Sequence, residues 1–240
     1  MPTLQQLVDS HARIAFFGGA GVSTESGIPD FRSADGLYRQ RRAIPAEVLL
    51  SHDFFLEHPE EFYAFYRESI LRPALLAKPN PAHVALARLE RAGKLTGVVT
   101  QNIDGLHQAA GSRRVFELHG SVHRNFCLRC GRRYDAAFVA QGAGLPRCAC
   151  GGLVRPDVVL YGEALDEDTV RGALNALMRA DLLIVGGTSL AVYPAAAYLD
   201  AFRGDALVVI NRDPTPRDGA AALLLREPIG QALGSLQIKG

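Results

Sequence analysis

No stretch of these 240 residues approaches the ~18 consecutive apolar positions that a membrane-spanning helix requires, so no helical span is expected. An excess of charge of either sign is missing as well. The 26 basic and 25 acidic residues leave a formal net charge of +1, which gives no general attraction to nucleic acid or anionic lipid. Any charge-driven partner must therefore be sought locally. The opening segment, MPTLQQLVDSHARIAFF, lacks the basic start, apolar middle and small-residue cleavage site of a secretory leader, and a cytoplasmic protein is expected. Cysteine is scarce and confined: all four lie between Cys127 and Cys150, which in a reducing compartment points to a metal before disulfides. Internal repeats and low-complexity tails are also lacking.

What is present is an ordinary globular composition, 48% hydrophobic and 21% charged, in a length that suits a large domain carrying a small one. The segments RIAFFGG, LTGVVTQN, ADLLIVGGTS and DALVVINRD read as buried strands with polar or glycine endings. Helical spacing fills residues 54–71, 81–92 and 166–180 between them, so the expected fold class is α/β, a doubly wound parallel sheet. Ligands in such sheets sit beyond the carboxyl ends of the strands. The alternation stops over residues 120–155, which are basic, Gly-rich and Cys-bearing and suggest a small inserted module.

In GGAGVSTES, Gly19 and Gly21 could let backbone N–H groups meet a pyrophosphate at a helix start. A tight turn would use the same glycines, and the third glycine of the dinucleotide fingerprint falls at Thr24. No acidic residue clearly ends a second strand ~20 residues on to hold a ribose, which disfavours hydride transfer. In SGIPDFRS, Pro29 stiffens a loop in which Asp30 and Arg32 flank Phe31; the arginine could take a phosphate, or the aromatic could simply anchor the loop. TQNIDGLH sets Gln101, Asn102 and Asp104 after a strand, suited to a ligand rich in hydroxyls with an amide; helix capping explains one such residue but hardly three.

His119 follows a short strand in FELHGS, where an imidazole could transfer a proton near neutral pH, although a lone His is more often structural. His107 and His123 lack that support and read as a helix residue and an edge residue of the module. Cys127, Cys130, Cys148 and Cys150 form C-x-x-C and C-x-C knuckles suited to one tetrahedral Zn²⁺, with a free-thiol cluster as the alternative. Arg124, Arg129, Arg132, Arg133 and Arg147 would form the basic surface of a nucleic-acid-binding zinc module, but they lack interleaved aromatics.

Taken in order, GAGVSTESGIPDFRS, TQNIDGLH, ELHGS, the paired cysteines, RPDVVLYGE, GTSLAVYPAA and VVIN closely resemble the sirtuins, NAD-dependent protein lysine deacylases, from about residue 14 to residue 236. The resemblance implies a Rossmann-like NAD-binding domain over residues 1–119 and 156–240, a helical insertion at about 33–80, and a zinc-binding module over 120–155. Ala20, Gly21, Thr24 and Arg32 would hold the NAD phosphates, and Phe31 would shield the reacting ribose. Asn102, Ile103 and Asp104 would line the nicotinamide pocket, and Gln101 would touch the ribose. Gly19, Asp30, His119 and Gly187 belong to the same implied cofactor set; Thr188 and Ser189 would bind further along, Asn211 the adenine ribose and Ile229 the adenine end. Val159, Leu160, Tyr161 and Gly162 on one edge, and Val192 on the other, would clamp the peptide.

The catalytic residues implied are His119 and Asn102. The acyl-lysine oxygen would displace nicotinamide from its ribose, and His119 would then act as base on a ribose hydroxyl to move the acyl group to ADP-ribose. Protein mono-ADP-ribosyl transfer at the same NAD site is the alternative. The zinc would be structural, the partners acylated-lysine proteins, and no stable nucleic-acid or membrane partner is implied. Some family members read acidic acyl groups with a Tyr and an Arg three positions apart. Here Tyr63 is followed by Tyr66, with Arg67 one residue late, so acetyl is the expected acyl group and Tyr66→Arg the change expected to supply the cation.

Overall fold

The computed structural model describes residues 2–31, 36–39, 42–142 and 144–238. Among the described residues, nine strands form two sheets: β1 (Ile14–Gly18), β2 (Leu95–Thr100), β3 (Val115–Glu117), β4 (Gly120–Cys127), β5 (Arg133–Tyr134), β6 (Val154–Val158), β7 (Leu182–Gly186), β8 (Ala206–Ile210) and β9 (Leu223–Leu225). The larger sheet has the order β3-β2-β1-β7-β8-β9, and every pairing in it is parallel. That is the expected doubly wound sheet. The chain reverses its direction of growth between β1 and β7, so the crevice of such a sheet opens beyond Gly18 and Gly186, which stand side by side.

The period of two along β1 explains how both faces are covered. Ile14 and Phe16 join a core with Val98, Ile184 and Val208 under the helix Pro81–Arg91, while Ala15 and Phe17 face Val99, Leu183 and Val185 under the helix Glu167–Met178. Both helices start where a short polar side chain can cap them: Asn80 accepts from Ala82 and His83, and Asp166 from Thr169.

The second sheet, β5-β4-β6, is antiparallel and carries the cysteines. It does not stand alone. Val122, Val139, Val154 and Cys127 share one apolar cluster with Phe55, Phe62, Tyr63, Tyr66 and Leu71 from the helices His52–Glu57 and Pro59–Tyr66 and the π-turn Arg67–Leu71. The inserted module and the helical insertion therefore form one lobe with a common core. Sequence periodicity marks residues 54–71 as one helix; the chain instead breaks at His58 before Pro59, a residue favoured at a helix start and disfavoured in a helix interior.

Candidate active site

Two turns meet at the crevice. Gly187 has φ +59, and a Cβ on Gly21 would lie 2.8 Å from the Gly187 Cα, so backbone packs on backbone at a distance no other residue pair permits. The Gly19 and Gly21 N–H groups donate to the carbonyls of Gly186 and Gly187, at 3.3 and 2.8 Å. These glycines thus close the junction of the two turns. The chain continues through two 3-10 turns, Ala20–Val22 and Thr24–Ser26, rather than a long helix.

From the second turn, Ser23 reaches across to the loop after β2. Its hydroxyl donates to Asp104 Oδ2 at 2.6 Å and accepts from Asn102 Nδ2 at 3.0 Å, all three residues being buried. Asp104 Oδ1 accepts the Leu106 N–H from just before the helix Leu106–Ala109, whose N-cap is Gly105 and neither Asp104 nor Asn102. Gln101 Oε1 accepts from the Thr188 hydroxyl, while Gln101 Nε2 is buried with no partner among the described residues. A buried amide donor without an acceptor is the kind of group a bound ligand oxygen would satisfy.

His119 stands at the exit of β3, and its Nδ1 lies 3.0 Å from the Gln101 carbonyl. A carbonyl can only accept, so Nδ1 carries a proton, and in the neutral ring the lone pair is on Nε2. Burial pushes the imidazole pKa down, and the Gln101 hydrogen bond pulls it partly back. The ring is therefore neutral near pH 7 and able to accept a proton.

Other expected residues fall around this centre. Phe31 is half-buried, with its ring 5.3 Å from that of Tyr38, and the segment around it closes through Leu37 N–H to Asp30 O and Tyr38 N–H to Phe31 O. Arg32 lies outside the described residues. Thr188 is buried and Ser189 exposed after β7; Asn211 directly follows β8 and donates its amide to the Asp213 carbonyl. The Ile229 side chain is buried in the core cluster that holds Phe16 and Ile184, at the first residue of the helix Ile229–Gly234.

Val159, Leu160 and Tyr161 continue from β6 to a turn at Gly162, which has φ +93. The Val159 N–H donates to the His119 carbonyl, tying this edge to the histidine, and Tyr161 pairs with Leu50 and His52. Glu163, which motif reasoning did not single out, holds the segment: it accepts the Leu160 N–H and two bonds from Arg155, and its Oε1 lies 2.7 Å from His52 Nδ1. These partners depress the Glu163 carboxyl pKa to about 2 despite burial.

The four sulfurs of Cys127, Cys130, Cys148 and Cys150 lie within 4.8 Å of one another, with Cys127–Cys150 and Cys130–Cys148 at 3.6 Å. Such spacing is far too long for a disulfide and close to the ~3.8 Å between thiolates arranged tetrahedrally at ~2.3 Å from Zn²⁺. The donor set fits that ion, and four thiolates leave it no open position.

Tyr63 and Tyr66 are both sealed in the lobe core. Tyr63 donates its hydroxyl to the Val154 carbonyl, whereas the Tyr66 hydroxyl has no partner among the described residues. The Arg67 guanidinium lies 5.3 Å from the Tyr63 ring centre and donates to the carbonyls of Val139 and Gly144. Sequence spacing alone could not show that all three are engaged with the metal-bearing module. Ser23 and Glu163 were likewise missed; only their place inside the quoted motifs GVSTES and VVLYGE could have marked them.

Comparison with known proteins agrees with this architecture. Residues 19–194 match the Sir2 family model. The chain is 54% identical over 237 residues to an NAD-dependent protein deacetylase of Clostridium perfringens, covering 97% of this chain and 96% of that one, and 55% identical over 236 residues to one of Cutibacterium acnes, covering 98% and 96%. Among solved structures, Sir2 bound to a p53 peptide and NAD+ superposes with a TM-score of 0.82 at 42% identity over 95% of this chain and 92% of that one. Sir2 with 2'-O-acetyl-ADP-ribose and a deacetylated p53 peptide gives 0.82 at 41%, covering 95% and 93%. A strand-end histidine, a Ser-Asn-Asp cluster at the switch point, a four-thiolate module and these relationships together establish that the chain belongs to the Sir2 family.

Proposed function

We propose that this protein removes acetyl groups from protein lysines in an NAD-dependent reaction, with His119 as its general base. The observation that carries the reading is the His119–Gln101 bond, which puts the ring proton on Nδ1 and so leaves Nε2 as the basic nitrogen of an imidazole that burial keeps neutral, beside the buried Asn102–Ser23–Asp104 cluster. NAD, when bound, supplies a ribose carbon with nicotinamide as leaving group and ADP-ribose as the acceptor of the acetyl group. The chain's residues do the rest. Asn102, Ile103 and Asp104 would receive the nicotinamide amide, which both donates and accepts; Gln101 Nε2 would find its missing acceptor on the ribose. Since Gly19 and Gly21 use their N–H groups within the protein, the phosphate would meet the starts of the two 3-10 turns at Ala20 and Thr24, with Arg32 as its cation. Asp30 and Phe31 would close over the ribose, and Gly187, Thr188, Ser189, Asn211 and Ile229 would flank the rest of the cofactor.

His119 Nε2 would take the proton of a ribose hydroxyl, freeing that oxygen to accept the acetyl group. The peptide would lie between the Val159–Gly162 edge, held by Glu163, and the edge containing Val192. One Zn²⁺ on the four cysteines would brace the module without taking part in the chemistry. Acetyl-lysine proteins are the substrates this site suits, and a reducing, cytoplasmic setting suits its four free thiols. No helix among the described residues is long and apolar enough to cross a membrane.

The test is incubation of the zinc-loaded protein with NAD and an acetyl-lysine peptide. Nicotinamide and O-acetyl-ADP-ribose should appear in equal amounts with the deacetylated peptide. Transfer of ADP-ribose to protein with the acetyl group left in place would overturn the assignment.

A further inference from the structure

β4 is interrupted in an unusual way. Ser121 pairs with Asp157 and Asn125 with Pro156, so Val122, His123 and Arg124 are three extra residues set against consecutive residues of β6. Each of the three makes contacts outside this sheet. The Val122 N–H donates to the Ile103 carbonyl at 3.0 Å. His123 Nε2 lies 2.9 Å from the Asp104 carbonyl, an acceptor, so this nitrogen donates. Arg124 reaches Glu117, two residues before His119, at 2.6 Å, and Asp157 at 2.8 Å.

The fit around His123 is close. Gly105 has φ +72, and a Cβ there would stand 2.7 Å from His123 Cδ2, so the imidazole rests directly on the backbone of the loop. The Asp104 carboxylate on the other side of that loop is already held by Ser23 and Leu106. With the carbonyl held by His123, the peptide unit that carries Asp104 has little freedom to rotate. A bulge that re-aims side chains next to an active site is a known use of this irregularity, and here it lets a strand of the metal-bearing module grip both the loop after β2 and the strand that leads to His119.

We propose that the bulge is the mechanical link between the cysteine module and the nicotinamide pocket, and that His123 is a positioning residue for Asp104. The inference rests on the reading that residues 102–104 receive nicotinamide. It makes the module an active contributor to pocket geometry, because the strand that supplies Cys127 also supplies the donor to Asp104. Loss of that donor frees the Asp104 peptide, which weakens nicotinamide and NAD without touching the acyl-peptide edge at Val159–Gly162.

The experiment uses the zinc-loaded full chain and three variants, His123→Phe, His123→Gln and Asp104→Asn. Measured are the inhibition constant of free nicotinamide, the KM for NAD and the KM for an acetyl-lysine peptide. His123→Phe keeps a planar ring but has no donor; it should raise the nicotinamide constant and the NAD KM about three- to tenfold, the effect of one hydrogen bond, and leave the peptide KM in place. His123→Gln retains an N–H at the right reach and should restore both constants. Zinc content should be unchanged in both, and the melting temperature of His123→Phe should fall by no more than the ~2–4 °C of one lost hydrogen bond, since the residue is exposed. If Asp104→Asn weakens nicotinamide but His123→Phe does not, the link is wrong. Equal weakening by Phe and Gln would also overturn the donor role, leaving only ring packing. Should Asp104→Asn itself leave both constants in place, the nicotinamide reading of the loop fails, and the proposal with it.

Discussion

Replacing His119 with Ala separates the two halves of the proposed reaction. The side chain makes one hydrogen bond, to the Gln101 carbonyl, and is half-buried, so its removal should lower stability by only about 1 kcal/mol, or ~2–4 °C in melting temperature for a chain of this size. Catalysis should suffer far more. A positioned general base contributes ~10²–10⁴-fold, which is ~2.7–5.4 kcal/mol of barrier. Nicotinamide leaves before the base acts, so the variant should still exchange labelled nicotinamide into NAD in the presence of acetyl peptide while deacetylation falls at least a hundredfold. The pH profile follows from the burial of the ring. Only the neutral ring can accept a proton, and burial lowers its pKa, so in the unmutated protein kcat/KM should fall on the acid side through a midpoint below the ordinary imidazole value of about 6.5 and stay flat around pH 7. Initial rates between pH 5 and 8.5, paired with the exchange assay, measure both effects. A variant that retains more than about a tenth of wild-type turnover, or an acid midpoint above that value, would remove His119 from the role of base.

Other consequences can be tested directly. Tyr63 and Tyr66 should respond oppositely to loss of the hydroxyl: Tyr63→Phe orphans the Val154 carbonyl and should lower stability by about 1 kcal/mol, while Tyr66→Phe removes an unpartnered buried hydroxyl and should raise it by a similar amount; calorimetry showing both shifts of one sign would contradict the contacts described. Acetyl-lysine should exceed succinyl-lysine by more than about tenfold in kcat/KM, because Arg67 is held by two module carbonyls and an unpaired carboxylate need cost only ~1.4 kcal/mol for that ratio; equal efficiencies on matched peptides would show a cation in reach. Tyr66→Arg, which spacing alone suggests as a way to admit succinyl groups, should instead destabilise the lobe by several kcal/mol, since the guanidinium would be enclosed by Phe62 and Tyr63; an unchanged melting temperature would show that it escapes the core. Cys127→Ala should abolish stoichiometric zinc and loosen β4 and β6, as elemental analysis and hydrogen exchange would report; full zinc occupancy in the variant would exclude that thiolate as a ligand.

The sequence by itself determined the elements whose signal is local. Apolar runs ending in Gly, Asn or Thr mark β1, β2, β7 and β8, because buried parallel strands are short, continuous and punctuated by turn residues. Helical spacing marks residues 81–92 and 166–180, and the two knuckles bring the four cysteines together in sequence before folding does so in space. Gln101, Asn102, Asp104 and His119 were legible because parallel sheets place strand ends on one side. Tertiary structure alone decided what those residues do to each other. Ser23 joins Asn102 and Asp104 only once β1 lies beside β2, and Gly21 meets Gly187 only at the junction of β1 and β7, partners more than 150 residues apart in the chain. The short strands β5 and β9 have too few residues for a period to declare itself and exist by pairing with longer neighbours. His123, unremarkable as a letter in the module, acquires its place from a three-residue excess of β4 over β6, a register that depends on how two distant strands align and that no local propensity encodes.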